Sequence, residues 1–488
     1  GSASSSPSTT STTVTGTLST PSTAATGSVP EPDRWPGLLR ADCDTTEPDC
    51  NGPWEAAWEA DRRAVIDRIV SGGHGLGADG VLRGPGGLAV DLSACPPSWA
   101  TEGIEADRIR LGFLAPNAGG NLIGPNPTYG ITAYLEAVNR AGGIDGREVD
   151  LAIVDQPVGI DAAGLDAADI DRVVADHSWF ALTSWGDLGL VDIAEIAETL
   201  EARCVPHALP MDRTASSVAG EHPFTIPYEL SYEVEAELWI EHVAAGWTDT
   251  TPPHVAALVI DHPYGHRYLD AVTAALEDRL PEAELTVAFH DPASPGVGAE
   301  VAELLDVDPD VWLSLTAANA CLLAINEVGT AEARPPLRFT PSGCEHPAAY
   351  VEPAGDAAEG WLVVTYRAAN LADWDRRVGT LRHHIDRQVA AAGFDSSVDL
   401  AISSWAWAWH YVELLRIASA LPGGLTRPNL LLAGWSADLR PPLNHPMIRF
   451  TLHGPTDPQP IETARVRAWN SRQQRWDDLE AVSVEGDR

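Results

Sequence analysis

From about residue 109 onward, short apolar runs alternate along the chain with longer segments of mixed polarity. The apolar runs predict strands at residues 109–114, 149–154, 179–182, 254–260, 284–288, 311–315, 338–340 and 361–365. Segments of mixed polarity between the runs predict helices at residues 128–141, 191–202, 264–280 and 403–420. This alternation is typical of an α/β fold with parallel sheets. Because open α/β sheets bind ligands at the carboxyl ends of their strands, the loops at those ends are the candidate site.

The residues before this region have a different texture. Residues 1–29 are almost wholly Ser, Thr, Ala, Gly and Pro, a composition that cannot form a packed core. We expect them to be a flexible tether, preceded in the precursor by an export signal and a lipidated cysteine. A tail without any anchor is the alternative. Residues 30–106 are expected to form an extension, with a helix at about residues 54–70.

The charge of the chain excludes several classes of partner. It has 31 basic residues, none of them lysine, against 70 acidic residues, and its formal net charge is −39. A surface of this kind repels nucleic acid phosphates and anionic lipid headgroups. We therefore expect no nucleic acid partner, and contact with the membrane only through the possible lipid anchor.

The cysteine pattern favours disulfides over a metal site. Six cysteines are spread along the chain without a CxxC pair of the kind used by zinc and redox motifs. Cys43 with Cys50 is a local pairing within a loop, and Cys321 with Cys344 is a second prediction. Free buried thiols in a cytoplasmic protein are the alternative.

One long string of residues is specific enough to indicate a family. IRLGFLAPNAGG at residues 109–120, followed by YGITAYLEAVNRAGGIDGREVDLAIVD at residues 129–155, resembles the opening of the type I solute-binding proteins of branched-chain amino acid ABC transporters. Gly142 and Gly143 would stop the helix, and Gly146 would permit the turn into the second strand. The similarity extends over about residues 104–451 and includes 203–206, 254–272 and 403–421.

The resemblance implies two Rossmann-like α/β lobes with parallel sheets, joined by a hinge of three chain crossings. We expect residues 107–231 and 361–427 in the first lobe, and residues 232–360 and 428–488 in the second. It also implies an extracytoplasmic, non-enzymatic protein without a cofactor. Such a protein captures a small polar or amino-acid-like solute between its lobes and delivers it to the permease subunits of an ABC importer.

The candidate binding residues follow from the same resemblance. The loops after the third and fourth strands of the first lobe, at residues 183–185 and 210–212, are expected to hold the solute, and Tyr264 to close over it from the second lobe. A serine hydroxyl and backbone N–H groups at a helix N-terminus can hold a carboxylate. The full candidate set is Ser184, Trp185, Met211, Asp212, Tyr264, Ile123, Ala317, Glu345 and Trp405.

Two of these positions depart from the family pattern. Ala317 stands where the family has an aromatic residue, and Glu345 lies a residue or two from the family's acid. A solute ammonium needs a carboxylate, which Asp212 or Glu345 could supply. Purely structural roles are the alternatives: a helix cap or turn for Ser184, a helix cap for Tyr264, and core packing for the tryptophans.

Enzymatic interpretations lack a motif. The sequence has no G-x-S-x-G elbow, no HExxH helix and no lysine to complete a phosphate loop. His383, His384 and Asp386 are expected on a solvated helix face, so no metal site is predicted. A ligand-sensing protein of the same fold and an α/β hydrolase are the alternative functions.

Overall fold

The computed structural model describes residues 52–116, 128–156, 167–176, 178–185, 193–367, 384–394, 399–445 and 448–485. Its helices include α1 to α12, which are Gly52–Ser71, Thr128–Arg140, Ala167–Asp176, Ile193–Ala202, Ala215–Ala219, Tyr232–Gly246, Pro263–Arg279, Gly298–Leu305, Asn319–Thr330, Glu352–Ala354, Asp399–Ala420 and Arg427–Trp435. Its strands, numbered β1 to β17, are Gly75–Leu76, Val81–Arg83, Ala89–Asp91, Arg108–Pro116, Glu148–Gln156, Ala181–Ser184, His207–Ala208, Thr225–Ile226, His254–Ile260, Glu284–His290, Val311–Leu315, Leu337–Phe339, Leu362–Thr365, Asp438–Leu439, Phe450–Thr451, Thr463–Asn470 and Arg475–Ser483.

The first lobe is built on a five-stranded parallel sheet in the order β5-β4-β6-β7-β8. Helices α2 and α11 cover one face, where the ring of Phe113 stacks on Trp407 with centroids 5.6 Å apart. Helices α3 and α4 pack on the other face. Gly130 lets α2 approach α11, because a Cβ at this position would lie 1.7 Å from the carbonyl oxygen of Ala401. Both faces of this sheet are therefore buried, as a parallel sheet requires.

The motif that indicated the family has a clear structural role. Gly142 and Gly143 adopt φ values of +104° and +68° directly after α2, which confirms the predicted helix stop. The side-chain amide of Asn139 donates to the carbonyl oxygen of Val149 at 3.0 Å and accepts from its N–H at 2.8 Å. The end of α2 is thus attached to the start of β5.

The second lobe is built on a seven-stranded sheet in the order β10-β9-β11-β12-β13-β16-β17. Strands β9 to β13 pair in parallel, whereas β16 and β17 join antiparallel at one edge. The sequence analysis assigned residues 361–365 to the first lobe, and this assignment is wrong for β13. All four residues of β13 pair with β16, a strand about a hundred positions later in the chain.

The lobe boundary near residue 428 also differs from the prediction. Helix α12, Arg427–Trp435, packs into the core of the first lobe and not the second. Gly434 allows this packing, because a Cβ there would lie 2.5 Å from the side chain of Ile226 in β8. Strand β15 pairs with β14 outside the second sheet, while β16 lies in the second sheet as expected.

Segments that run between the lobes lie side by side. The hydroxyl of Tyr366 donates to Glu229 at 2.7 Å, so the second crossing segment contacts the first. The N–H of His445 donates to the carbonyl oxygen of Tyr366 at 2.8 Å, and Arg367 forms a bridge with Asn444. These contacts form a hinge between two parallel-sheet lobes, which confirms the predicted fold class.

The extension packs on the first lobe. Arg62 of α1 pairs with Glu413 of α11 at 2.8 Å, and Trp58 packs against Trp409 with ring centroids 5.1 Å apart. A disulfide between Cys95 and Cys204 joins the extension to the segment before β7. This pairing was not predicted, because 109 residues separate the two cysteines.

The second disulfide, Cys321–Cys344, was predicted and is present in the structure. Cys43 and Cys50 lie outside the described residues. Within the described ranges, no helix combines the length and apolarity needed to cross a bilayer. The same ranges contain no group of three or more His, Cys, Asp or Glu side chains arranged to hold a metal ion.

Candidate functional site

The loops after β6 and β7 meet at the carboxyl end of the first sheet. The N–H of Met211 donates to the carbonyl oxygen of Ser184 at 2.8 Å, and Trp185 and Met211 form a parallel bridge. Asp212 follows directly in the chain. The structure therefore brings the four candidates of these two loops together, at the carboxyl ends of two neighbouring parallel strands.

The hydroxyl of Ser184 points into the lobe. Its Oγ lies 2.9 Å from Nε2 of His207, and both side chains are fully buried. Burial lowers the pKa of His207 to about 3, so the imidazole is neutral at physiological pH. The adjacent Trp185 is only partly buried, so its side chain offers contact surface.

Asp212 shapes its own loop. One carboxylate oxygen accepts from the N–H of Thr214 at 2.7 Å and from the Thr214 hydroxyl at 2.5 Å. This is a local turn in which an Asp side chain bonds to backbone two residues on. The buried carboxylate thus holds the turn between β7 and α5.

Arg213, which the sequence analysis did not identify, reaches from the first lobe into the second. Its Nη1 donates to Oε2 of Glu235 in α6 at 2.7 Å, and its guanidinium lies 5.7 Å from the ring centroid of Tyr232. The side chains of Arg213 and Glu235 are 4% and 0% exposed. The only signal in the sequence was a basic residue next to the Met211–Asp212 loop.

Glu235 also holds a loop of its own lobe. Its Oε1 accepts from the N–H of Ser342 at 2.6 Å, at the start of the 3-10 turn Ser342–Cys344. Burial raises the pKa of this carboxyl, and the positive charge of Arg213 opposes the rise. One carboxylate therefore contacts both lobes.

Tyr264 stands in the second lobe at the start of α7. Its hydroxyl donates to the carbonyl oxygen of Thr316 at 3.0 Å, and its ring meets Tyr232 edge-on at 4.9 Å. Ala317 follows Thr316 after β11 and is partly buried. Tyr264 and Ala317 are thus neighbours, and Tyr232 connects Tyr264 to Arg213.

Glu345 is tied to the hinge. Its carboxylate pairs with Arg367 at 3.3 Å, and Arg367 also pairs with Glu229 at 3.3 Å. The carbonyl oxygen of Glu345 accepts from the indole N–H of Trp476 at 2.8 Å. Arg367 and Glu229 were missed because their roles depend on contacts between distant crossing segments.

Trp405 lies in the core of the first lobe. It is 1% exposed, and its indole N–H donates to Gln388 at 2.7 Å while its ring packs against Tyr134. The structure does not bring it to the two loops. The indole N–H of a different tryptophan of the same helix, Trp407, donates at 2.7 Å to the carbonyl oxygen of Leu209. Leu209 lies at the start of the loop after β7. Ile123 lies outside the described residues.

Comparison with known proteins agrees with this architecture. The sequence profile of the periplasmic binding protein family matches residues 108–473, so the chain belongs to that family. This is a family of solute-binding proteins, and membership implies an extracytoplasmic location. A comparison with curated protein sequences gives no significant match.

Solved structures with the same fold have low sequence identity to this chain. A fatty acid ABC transporter substrate-binding protein from Thermomonospora curvata has a TM-score of 0.61 and 17% identity, with 84% of this chain and 96% of that chain covered. A branched-chain amino acid ABC transporter protein from Thermus thermophilus with bound valine has a TM-score of 0.60 and 14% identity, covering 78% and 98%. A solute-binding protein from R. palustris in complex with benzoate has a TM-score of 0.57 and 14% identity, covering 78% and 98%. The chain thus shares the fold of these solute-binding proteins.

Proposed function

We propose that this protein captures a small carboxylate-bearing solute between its lobes and delivers it to the permease of an ABC importer. The observation that carries the proposal is the convergence of Arg213 from the first lobe with Tyr232 and Tyr264 from the second. In this proposal Trp185 and Met211 line one wall, and Tyr264 lines the other.

The remaining candidate residues have supporting roles in the proposal. Ala317 continues the second wall beside Tyr264, and Asp212 and Glu345 hold the loops in place. Ser184 supports the loop after β6 from inside the lobe, through its hydrogen bond to His207. Trp405 contributes only to the core on which the loops rest.

Charge pairing at the site favours a solute without an ammonium group. The structural neighbours include a fatty acid transporter protein, a complex with valine and a complex with benzoate, and of these solutes only valine carries an ammonium group. The carboxylates of Asp212, Glu235 and Glu345 each already bond to a group of this chain. A solute ammonium would have to compete with those partners, because a buried charge needs compensation. We therefore favour a carboxylic acid without an ammonium over an amino acid.

The test compares solutes that differ only in the ammonium group. Leucine is paired with 4-methylpentanoate, and phenylalanine with 3-phenylpropanoate, in thermal-shift and calorimetric titrations of the whole chain. The amide of 4-methylpentanoate controls for the carboxylate. A true ligand at a hundredfold excess over Kd stabilises the folded state by about 2.7 kcal/mol.

We expect the acids to stabilise the protein and their amino acid partners to have little effect. Tighter binding of leucine or phenylalanine would show that the ammonium argument is wrong. If the amide bound as tightly as the acid, the protein would not recognise the carboxylate of the solute. No stabilisation by any acid or amino acid would contradict the proposed solute class altogether.

Delivery and anchoring are tested in the cell. Deleting the gene should abolish uptake of the identified solute, whereas a sensor would change gene expression with uptake intact. We also propose that residues 1–29 tether the protein to a lipid anchor at the outer face of the cytoplasmic membrane. Labelling of the native precursor with a fatty acid analogue tests the anchor, and absence of label would contradict it.

A further inference from the structure

The ion pair between Arg213 and Glu235 joins the two walls of the proposed site. Arg213 belongs to the loop between β7 and α5 of the first lobe, and Glu235 belongs to α6 of the second. Their side chains meet at 2.7 Å with almost no exposure to solvent. The pair is therefore an interlobe contact, unlike the buried pair of Arg62 and Glu413.

Glu235 is placed close to the hinge. It lies in the first turn of α6, whose N-cap Ser231 ends the first crossing segment. The hydroxyl of Ser231 accepts from the N–H of Val234 at 3.2 Å, so the turn that carries Glu235 is fixed to the hinge. A change in the position of the Glu235 carboxylate would therefore change the angle at which the lobes meet.

The two oxygens of Glu235 serve different walls. Oε2 holds Arg213, which follows Met211 and Asp212 in the first-lobe loop. Oε1 holds the N–H of Ser342, two residues before the disulfide-linked Cys344. Since both bonds are buried and one partner is a full charge, their geometry is tightly restricted.

We propose that Glu235 is a positioning residue that sets the relative placement of the two cleft walls in the solute-free protein, with Arg213 as its partner from the first lobe. The effect of this placement on solute binding rests on the proposed interlobe site. Both partners of the ion pair belong to the chain itself, so the test needs no solute. A buried ion pair suits this role, because separating its partners would leave an uncompensated buried charge on each side.

The experiment measures the distance between the lobes in the whole chain without solute. Spin labels are attached through keto amino acids at the exposed positions Glu221, in the first lobe, and Asp270, in the second. Pulsed electron paramagnetic resonance then gives the interlobe distance distribution. The test variant is Glu235→Gln, and the matched control is Glu413→Gln, which removes the charge of an equally buried acid whose partners, Arg62 and Arg416, do not lie in the second lobe.

We expect Glu235→Gln to shift the distribution to longer distances and to broaden it, while Glu413→Gln leaves it as in the parent. Arg213→Gln should reproduce the shift, and the double variant should add nothing further. Arg213→Gln also covers the case in which Glu235→Gln does not fold, because it leaves the bond to Ser342 in place. An unchanged distribution in Arg213→Gln, or an equal shift in Glu413→Gln, would overturn the proposal. Neither result bears on solute binding by the parent, which is measured separately.

Discussion

The hydroxyl oxygen of Ser184 lies 2.9 Å from Nε2 of His207, and neither side chain is exposed to solvent. The other ring nitrogen, Nδ1, is buried without a hydrogen-bond partner among the described residues. Within the described part of the chain, the hydroxyl is therefore the one hydrogen-bonding partner of this neutral imidazole in the first sheet. This bond supports the loop after β6 from inside the lobe.

Ser184→Ala is expected to lower the free energy of unfolding by about 1–3 kcal/mol, because it leaves both nitrogens of His207 unsatisfied. Ser184→Thr, which keeps a hydroxyl, is the control. Urea unfolding measures the stability, and calorimetry with 4-methylpentanoate measures the affinity. A fall in affinity of tenfold or more without a loss of stability would show instead that the Ser184 hydroxyl contacts the solute.

Tyr264 is expected to act on solute release. Tyr264→Ala removes the ring that packs on Tyr232, whereas Tyr264→Phe removes only the hydroxyl that donates to Thr316. Most effects of contact residues on affinity appear in the dissociation rate. We expect faster release for Tyr264→Ala and a much smaller change for Tyr264→Phe, measured by stopped-flow displacement of a bound acid. Equal rates in Tyr264→Ala and the parent would remove Tyr264 from the site.

Acid should destabilise the protein through its buried imidazoles. Burial lowers the pKa of His410 to about 4, so the folded state excludes a proton that the unfolded chain binds below a pKa of about 6.5. Stability is therefore lost as the pH falls, and between pH 7 and pH 5 one such histidine costs about 2 kcal/mol.

The variant His410→Phe tests this, since the ring lies among Tyr228, Trp409 and Phe450. Its loss of stability from pH 7 to pH 5 should be smaller than that of the parent by about 2 kcal/mol. Urea unfolding at the two pH values gives the comparison. Identical losses in both proteins would mean that His410 is not held neutral.

The two disulfides should differ in their contribution to stability. Cys95 and Cys204 are 109 residues apart, whereas Cys321 and Cys344 are 23 apart. Since a disulfide restricts the unfolded chain more when the loop is longer, removing the first should cost about 5 kcal/mol and the second about 3 kcal/mol. Double Cys→Ser variants compared by urea unfolding test this order. A larger loss for the shorter loop would point to native-state contacts as the main source.

The sequence alone was enough to predict what depends on local pattern. Alternating apolar runs and amphipathic segments indicated the α/β class, and the string at residues 129–155 indicated the family. Gly142 and Gly143 end α2 because glycine readily adopts the left-handed backbone that follows a helix. The end of the helix can therefore be predicted from residue type alone. The meeting of the loops after β6 and β7 was predictable for a similar reason, since neighbouring parallel strands end at the same edge.

The tertiary structure alone decided which lobe each later segment joins and which polar groups face one another. β13 belongs to the second sheet because it pairs with β16, and no local property of residues 362–365 records that partner. Trp405 and Trp407 share a helix and a residue type, yet one packs against Tyr134 and the other reaches Leu209. The bond between Arg213 and Glu235 likewise exists only once both lobes are folded, because side-chain pairing across a hinge depends on distances that periodicity does not encode.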